Sequence, residues 1–345
     1  MQENDRKIRI LLTGASGTVG SEVLRQLIDN EDIELTVFDL KTPRSEKIFK
    51  PYLSKAQFVY GNISKREDVD TVSKNKDVVI HLAAVIPPLA DEKPELAYRV
   101  NVKGTENLLN SFEIHSPDAF FMYSSSVSVY GDRVENPNIR VGDPLTPSVG
   151  DEYAKTKLKC EELVQKSAMK WTIFRLGAIM KNHEISKLMF HMPLNTTMEI
   201  CTPEDTARAF VNGIGKQAEL TGKIFNLGGG KQCTTSYEDF LQRSFKLFGL
   251  GKLNFAPNAF ATKNFHCGYF ADGHELEEIL HFRNDNLESY FTKTKKDISP
   301  IIKFFGTIFR YPIKKYLQST SEPLQALKNN DREMIERFFG KKVEF

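Results

Sequence analysis

Ile8-Arg-Ile-Leu-Leu-Thr13-Gly14-Ala-Ser16-Gly17-Thr18-Val19-Gly20 is the stretch on which the reading of this chain turns. Residues 8–13 form a short apolar run with no helical period, as expected of a strand buried on both faces. Glycines at 14, 17 and 20 follow, and Val23, Leu24, Leu27 and Ile28 then set out a helical stripe. A strand, a glycine turn and a helix in that order make a phosphate cradle. Gly14 permits the tight turn, Gly17 lets the backbone approach a pyrophosphate, and Gly20 lets the helix pack on the strand. Ser16, Thr18 and Val19 lie where the helix start offers unpaired N–H groups to an anion. The spacing is Gly-x-x-Gly-x-x-Gly, so the glycines alone are a modest signal, and their placement after the first strand carries the argument.

A second strand, Leu35–Phe38, ends at Asp39. A carboxylate at that position accepts hydrogen bonds from ribose hydroxyls and repels a 2′-phosphate, which favours NAD over NADP. Further candidate strands at 57–60, 78–83, 119–124 and 171–176 alternate with helical segments. The expected fold is α/β, a Rossmann-like, doubly wound parallel sheet over residues 1–180. A helix at 203–214 and a strand at 223–227 place 201–230 back on that sheet. Residues 181–200 and 231–291 read as a smaller α+β substrate cap. Residues 292–345 read as extra C-terminal helices, interrupted at Gly306, Pro312 and Pro323.

Charge is balanced, with 47 Lys and Arg against 45 Asp and Glu among 345 residues. This gives no support to nucleic-acid binding through overall charge. The tail is the exception: residues 292–345 carry a net charge of +6. Within it, Ile301–Leu317 interleaves aliphatic and aromatic residues with Lys303, Arg310, Lys314 and Lys315. A helix pair packed on the cap is the plain expectation, and a membrane-surface or partner-docking element the sharper one. Cys160, Cys201, Cys233 and Cys267 are widely separated, which argues against a disulfide framework or a zinc site and suits a reducing cytoplasm. No run reaches the ~18 apolar residues of a membrane span, and the polar start leaves no room for a secretory signal. A cytoplasmic location is the expectation.

Tyr153 and Lys157 fall at i and i+4 of a strong helical pattern, on one helix face. An ammonium near a phenol lowers its pKa and makes it a usable acid/base. Upstream, Ser124-Ser125-Ser126 ends a strand, and strand C-termini face the ligand crevice of a doubly wound sheet.

Together these pieces resemble the extended short-chain dehydrogenase/reductase family, the NAD-dependent epimerase/dehydratase group. Thr13–Gly20, Asp39, Gly61-Asn62-Ile63, His81-Leu82-Ala83-Ala84, Asn101–Asn107, Ser124–Gly131, Tyr153-x-x-x-Lys157, Arg175 and Phe225–Gly228 match in order. The resemblance implies a catalytic Ser126, Tyr153 and Lys157, with Lys157 also on the nicotinamide ribose. It implies adenine contacts from Asn62 and Ile63, where the family usually has Asp in place of Asn62. Leu82, Ala83, Ala84 and Ser124 would line the cofactor groove, and Asn101 would lie near the nicotinamide. A homodimer is also implied.

Two positions depart from the family's subgroups. Val127 and Ser128 stand where dehydratases carry Asp-Glu, and Ala178 where epimerases often carry an Asn. The leading expectation is an NAD-dependent epimerase of a nucleotide sugar. The alternative is an NAD(P)-dependent dehydrogenase or ketoreductase of a non-nucleotide secondary alcohol, and a third reading is a non-catalytic dinucleotide sensor. His81 is expected to pack. His183, His191, His266, His274 and His281 have no metal-ligand spacing, and no metal is expected.

Overall fold

The computed structural model describes residues 6–181 and 185–340; His183 lies outside them. Seven strands form the main sheet: β1 (Ile8–Thr13), β2 (Ile33–Asp39), β3 (Gln57–Tyr60), β4 (Val78–His81), β5 (Phe120–Ser126), β6 (Lys170–Leu176) and β7 (Lys223–Leu227). Their order is β3-β2-β1-β4-β5-β6-β7, and every pairing is parallel. The direction of winding reverses between β1 and β4, and a crevice opens at the carboxyl ends of strands at such a switch point.

Both faces of the sheet are covered. Ile10 and Leu12 of β1 enter one core with α1 (Thr18–Leu27) and a helix at Pro203–Gly213, while Leu11 between them enters the other. That second core is closed by α2 (Gly104–His115) and α3 (Glu152–Lys166) through Leu108, Phe112, Cys160 and Val164. Neighbouring residues on opposite buried faces explain why β1 reads as an unbroken apolar run. Asp151 starts α3, its carboxylate accepting from Ala154 N, which places Tyr153 in the first turn.

A third core lies beyond the carboxyl ends of β6 and β7. Met198, Ile200, Phe240, Phe245, Tyr290 and Phe291 pack there, joined by Leu317 from the tail. A three-stranded sheet at 178–179, 197–201 and 234–236 supports it, and strand 138–139 pairs with 269–270. Leu287–Asp297 is one continuous helix. Four more follow: α4 (Pro300–Ile308), α5 (Arg310–Ser319), α6 (Glu322–Asn329) and α7 (Arg332–Phe339) when the tail is counted after α3.

The expected breaks at Gly306 and Pro312 are corrected. Gly306 lies inside α4, and a Cβ there would sit 2.0 Å from the Phe248 carbonyl oxygen. It serves a close approach of two backbones. Pro312 occupies the first turn of α5, where an amide has no intrahelical partner to lose. The chain turns at Phe309 instead.

One buried ion pair ties the sheet to α3. Arg175 on β6 donates to both carboxylate oxygens of Glu161, at 3.0 and 2.7 Å, with both side chains buried. Its other nitrogen donates to Tyr130 Oη at 2.8 Å, and Tyr130 donates to Asn226 Oδ1 on β7 at 2.7 Å. Removing one partner of such a pair strands an uncompensated charge. Glu161→Ala should therefore lose about 3–5 kcal/mol of stability in urea unfolding; a loss below about 1 kcal/mol would contradict this role.

Candidate active site

The glycine loop is held by backbone contact. Gly14 has a φ of +74°, and a Cβ on it would lie 2.5 Å from Ala83 N. A Cβ on Gly20 would lie 2.1 Å from the Gly14 carbonyl oxygen. Loop, helix and the end of β4 thus meet without side chains between them. Gly17 is the N-cap of α1 and supplies no side-chain hydrogen bond, so the amides at Thr18 and Val19 remain for an anion. At the rim, Asp39 accepts from Ser16 N at 2.7 Å and Leu40 N at 2.8 Å, and Arg44 donates to Ser16 O at 3.0 Å. These residues fit a dinucleotide: a Cβ-free cradle for its pyrophosphate and a carboxylate at the end of β2.

Around the cradle, several side chains hold the scaffold. Leu82 N donates to Thr13 O and Ala83 N to Thr13 Oγ1, each at 3.3 Å, with Ala84 next in the chain. Ile63 is buried beneath Gly104. Asn62 accepts from Ser64 N at 3.0 Å and Ser64 Oγ at 2.7 Å, so its amide oxygen builds the local turn. Asn101 bonds Val85 through both amide ends, at 2.7 and 3.0 Å, and donates to Thr156 Oγ1 at 2.9 Å. It fastens the loop after β4 to α3. His81 bridges Thr13 and Thr105 at 2.8 and 2.9 Å, and burial with nearby Lys157 pushes its pKa down to about 3. It packs as a neutral ring.

Ser126, Tyr153 and Lys157 come together at the end of β5. Ser126 Oγ accepts from Ser128 N at 3.2 Å and Ser128 Oγ at 3.0 Å, and it also hydrogen-bonds the Tyr153 phenol. Lys157 donates to Ser124 O at 2.7 Å, with Nζ 5.6 Å from the centre of the Tyr153 ring. Ser124 itself donates to His81 O at 3.2 Å.

The electrostatics differ from the expectation of a lowered phenol pKa. Burial raises Tyr153 above its usual value and outweighs the bond from Ser126, while burial pushes Lys157 down to about 8. Without further positive charge the phenol keeps its proton at neutral pH.

Beside the helix end that carries Tyr153 lies a cavity of about 240 Å³. Pro87, Val149, Leu188, Phe265 and Phe338 form the apolar part of its wall, Ser148, His191, Asn264 and His266 the polar part, and Asp91, Asp151 and Arg337 bring charge. Asp91 accepts from Glu152 N at 3.0 Å and Tyr153 N at 3.4 Å, and burial next to Asp151 raises its pKa. Arg337 and Phe338 belong to α7, in the tail, and nothing in their local sequence signals this position. Glu322 helps to hold the tail there. His191 and Lys187, each 2.8 Å away, keep its carboxyl down at about 2. Among the described residues no cluster of three or more His, Cys, Asp or Glu could hold a metal.

Residues 11–177 match the 3-beta hydroxysteroid dehydrogenase/isomerase family. The mouse 3 beta-hydroxysteroid dehydrogenase type 7 is 26% identical over 159 residues, 45% of this chain and 43% of that protein. The sterol-4-alpha-carboxylate 3-dehydrogenase (decarboxylating) of Candida albicans is 32% identical over 165 residues, 46% of this chain and 45% of that protein. The chain thus spans less than half the length of these relatives. In fold it is similar to the UDP-glucuronic acid 4-epimerase of Bacillus cereus, solved with UDP-glucuronic acid and NAD. The TM-score is 0.68 at 21% identity, over 84% of this chain and all of that one. The span that matches the 3-beta hydroxysteroid dehydrogenase/isomerase family, residues 11–177, holds the glycine loop together with Ser126, Tyr153 and Lys157.

Lys157 provides a test of the site's electrostatics. A buried lysine titrating near 8 binds fewer protons in the folded chain than in the unfolded one between pH 8 and 10, so stability rises with pH there. Thermal unfolding should show the protein gaining on its Lys157→Met variant across that window. Parallel curves would contradict the assignment.

Proposed function

We propose that the chain is an NAD-dependent enzyme that moves a hydride to or from the carbon of an apolar, non-nucleotide secondary alcohol or its ketone. The Ser126/Tyr153/Lys157 cluster, placed beside the glycine cradle, is the observation that carries this reading. Residues 14–20 would hold the pyrophosphate, Asp39 the adenosine ribose and Lys157 the nicotinamide ribose. Bound NAD supplies the hydride acceptor, and its reduced form the donor. Ser126 donates a hydrogen bond to the substrate oxygen and aligns it with the phenol. Tyr153 passes its proton to that oxygen during reduction and takes it back during oxidation. The protonated phenol is ready for reduction; oxidation needs the Lys157 ammonium and the nicotinium charge to favour phenolate. Residues 1–180 with 201–230 would form the NAD-binding part, and 181–200 with 231–291 the substrate cap.

Net oxidation or reduction is favoured over epimerisation by the cleft. Asp91 and Asp151 face the same cavity as Arg337, a poor balance for a diphosphate. Arg175 is occupied by Glu161, and Ala178 offers no polar group. The apolar part of its wall suits an apolar ring, and the mouse and Candida albicans relatives are named as steroid and sterol dehydrogenases. A nucleotide-sugar epimerase is the second reading, supported by the likeness of fold to the Bacillus cereus epimerase across the cap as well.

Incubation with NAD and a panel of sterols, smaller cyclic alcohols and nucleotide sugars separates the two. Reduced cofactor accumulating with an apolar alcohol supports the first reading. An isomerised sugar without net reduction would overturn it.

Two further outcomes are expected. Tyr153→Phe should lower turnover by roughly 10²–10⁴ with NAD affinity nearly unchanged, whereas Lys157→Ala should lose both; a Tyr153→Phe variant retaining most of the activity would refute the role of the phenol. Calorimetry should give tighter binding of NAD than NADP, with Asp39→Ala narrowing the gap. Equal affinities in the unaltered protein would contradict the part assigned to Asp39.

A further inference from the structure

The helix pair α4–α5 carries its apolar side outward. Ile301 is 66% exposed, Phe304 60%, Tyr311 75% and Tyr316 69%, and Ile302, Phe305, Ile308 and Phe309 are also exposed. Their spacing sets a continuous apolar stripe along α4. The opposite side of α4 rests on the protein. Gly306 is its one buried residue and lies against the Phe248 carbonyl, while Lys303 O and Thr307 approach Gly249. The helix is therefore seated by its small, polar side, the reverse of a surface helix that covers a core. A patch of this kind marks a surface that is covered by something else.

The charges around it identify the cover. No Asp or Glu occurs between Asp297 and Glu322, whereas Lys303, Arg310, Lys314 and Lys315 do. Arg310, Lys314 and Lys315 join Lys252 along an open groove of about 670 Å³ beside Tyr311. These cations crowd each other: partial burial and neighbouring Arg310 both lower the pKa of Lys314. A second copy docked on this face about a two-fold axis would bring the same cations towards their equivalents. An acidic surface would neutralise them.

We propose that α4 and α5 dock this protein on the surface of an anionic lipid bilayer. The exposed Ile and Phe side chains enter the headgroup–acyl boundary, and the Lys252/Arg310/Lys314/Lys315 groove faces the lipid phosphates. The pair lies on the membrane, since among the described residues no helix is long and apolar enough to cross one. This attachment is independent of the reaction proposed above.

The test is flotation of the full chain with vesicles of phosphatidylcholine alone or with 30% phosphatidylserine, at about 50 and 500 mM salt. Binding is expected to the phosphatidylserine vesicles at low salt, and to fall at least tenfold at high salt or with neutral vesicles. Phe304→Ser/Phe305→Ser and Lys314→Glu/Lys315→Glu should each reduce it at least tenfold. Phe304, Phe305 and Lys315 are exposed, so Phe304→Ser/Phe305→Ser should keep the thermal unfolding temperature of the parent. Lys314 is half-buried and bonds Asn254 Oδ1 and Lys252 O. The single Lys315→Glu variant, which should also keep that temperature and also lose binding, therefore separates lost charge from lost structure. Three results would overturn the proposal: no flotation with anionic vesicles, unchanged flotation of both variants, or light scattering that shows a dimer dissociated by the Phe304→Ser/Phe305→Ser change. Loss of NAD turnover with flotation intact would instead count against the proposed reaction alone.

Discussion

Two backbones that nearly touch organise this molecule. Gly14 leaves β1 so close to Leu82 and Ala83 that no side chain fits between them. The contact lies at the point where the winding of the sheet reverses, and it sets the glycine loop and the end of β4 on either side of one crevice. Gly20 repeats the constraint one helical turn later by drawing α1 against the loop. Everything polar in the site is placed relative to this junction. Thr13 bonds both the His81 ring and Ala83 N, and Asn101 fastens the next stretch of the loop to α3.

Burial governs the chemistry of the other wall. Lys157 keeps one hydrogen bond, to the Ser124 carbonyl, in surroundings that disfavour its charge, and the same surroundings disfavour phenolate at Tyr153. Burial thus favours the neutral form of both groups, and each can be shifted by one new charge nearby. A site in this condition responds strongly to the redox state of a nicotinamide, which differs by one positive charge on the ring.

Much of this was legible in the sequence because it depends on local pattern. The apolar run 8–13, the glycine spacing, Asp39 and the Tyr153/Lys157 interval each reflect a requirement met within a few residues. Side-chain partners brought by tertiary contact were not legible. Asn62 and Asn101 match the family's positions, yet Ser64 bonds the amide oxygen of Asn62, and Val85 and Thr156 hold the amide of Asn101. Arg337 and Phe338 line the cavity beside the start of α3 through tertiary contact, in a tail that Glu322 ties to Lys187 and His191. Gly306 read as a helix breaker, since the Phe248 carbonyl that requires it is far away in sequence. The Tyr153/Lys157 interval shows a cation on the same helix face as the phenol, whereas the first influence on its pKa in the fold is desolvation, which no local pattern shows.

The proposed reaction requires the glycine cradle and the Ser126/Tyr153/Lys157 cluster to form one dinucleotide site. A crystal structure of the protein with NAD tests it most directly. The pyrophosphate is expected over the amides of Thr18 and Val19, the adenosine ribose on Asp39, and a nicotinamide ribose hydroxyl within hydrogen-bond reach of Lys157 Nζ. A dinucleotide bound elsewhere, or one in the cradle with its nicotinamide turned away from Tyr153 and Lys157, would contradict it.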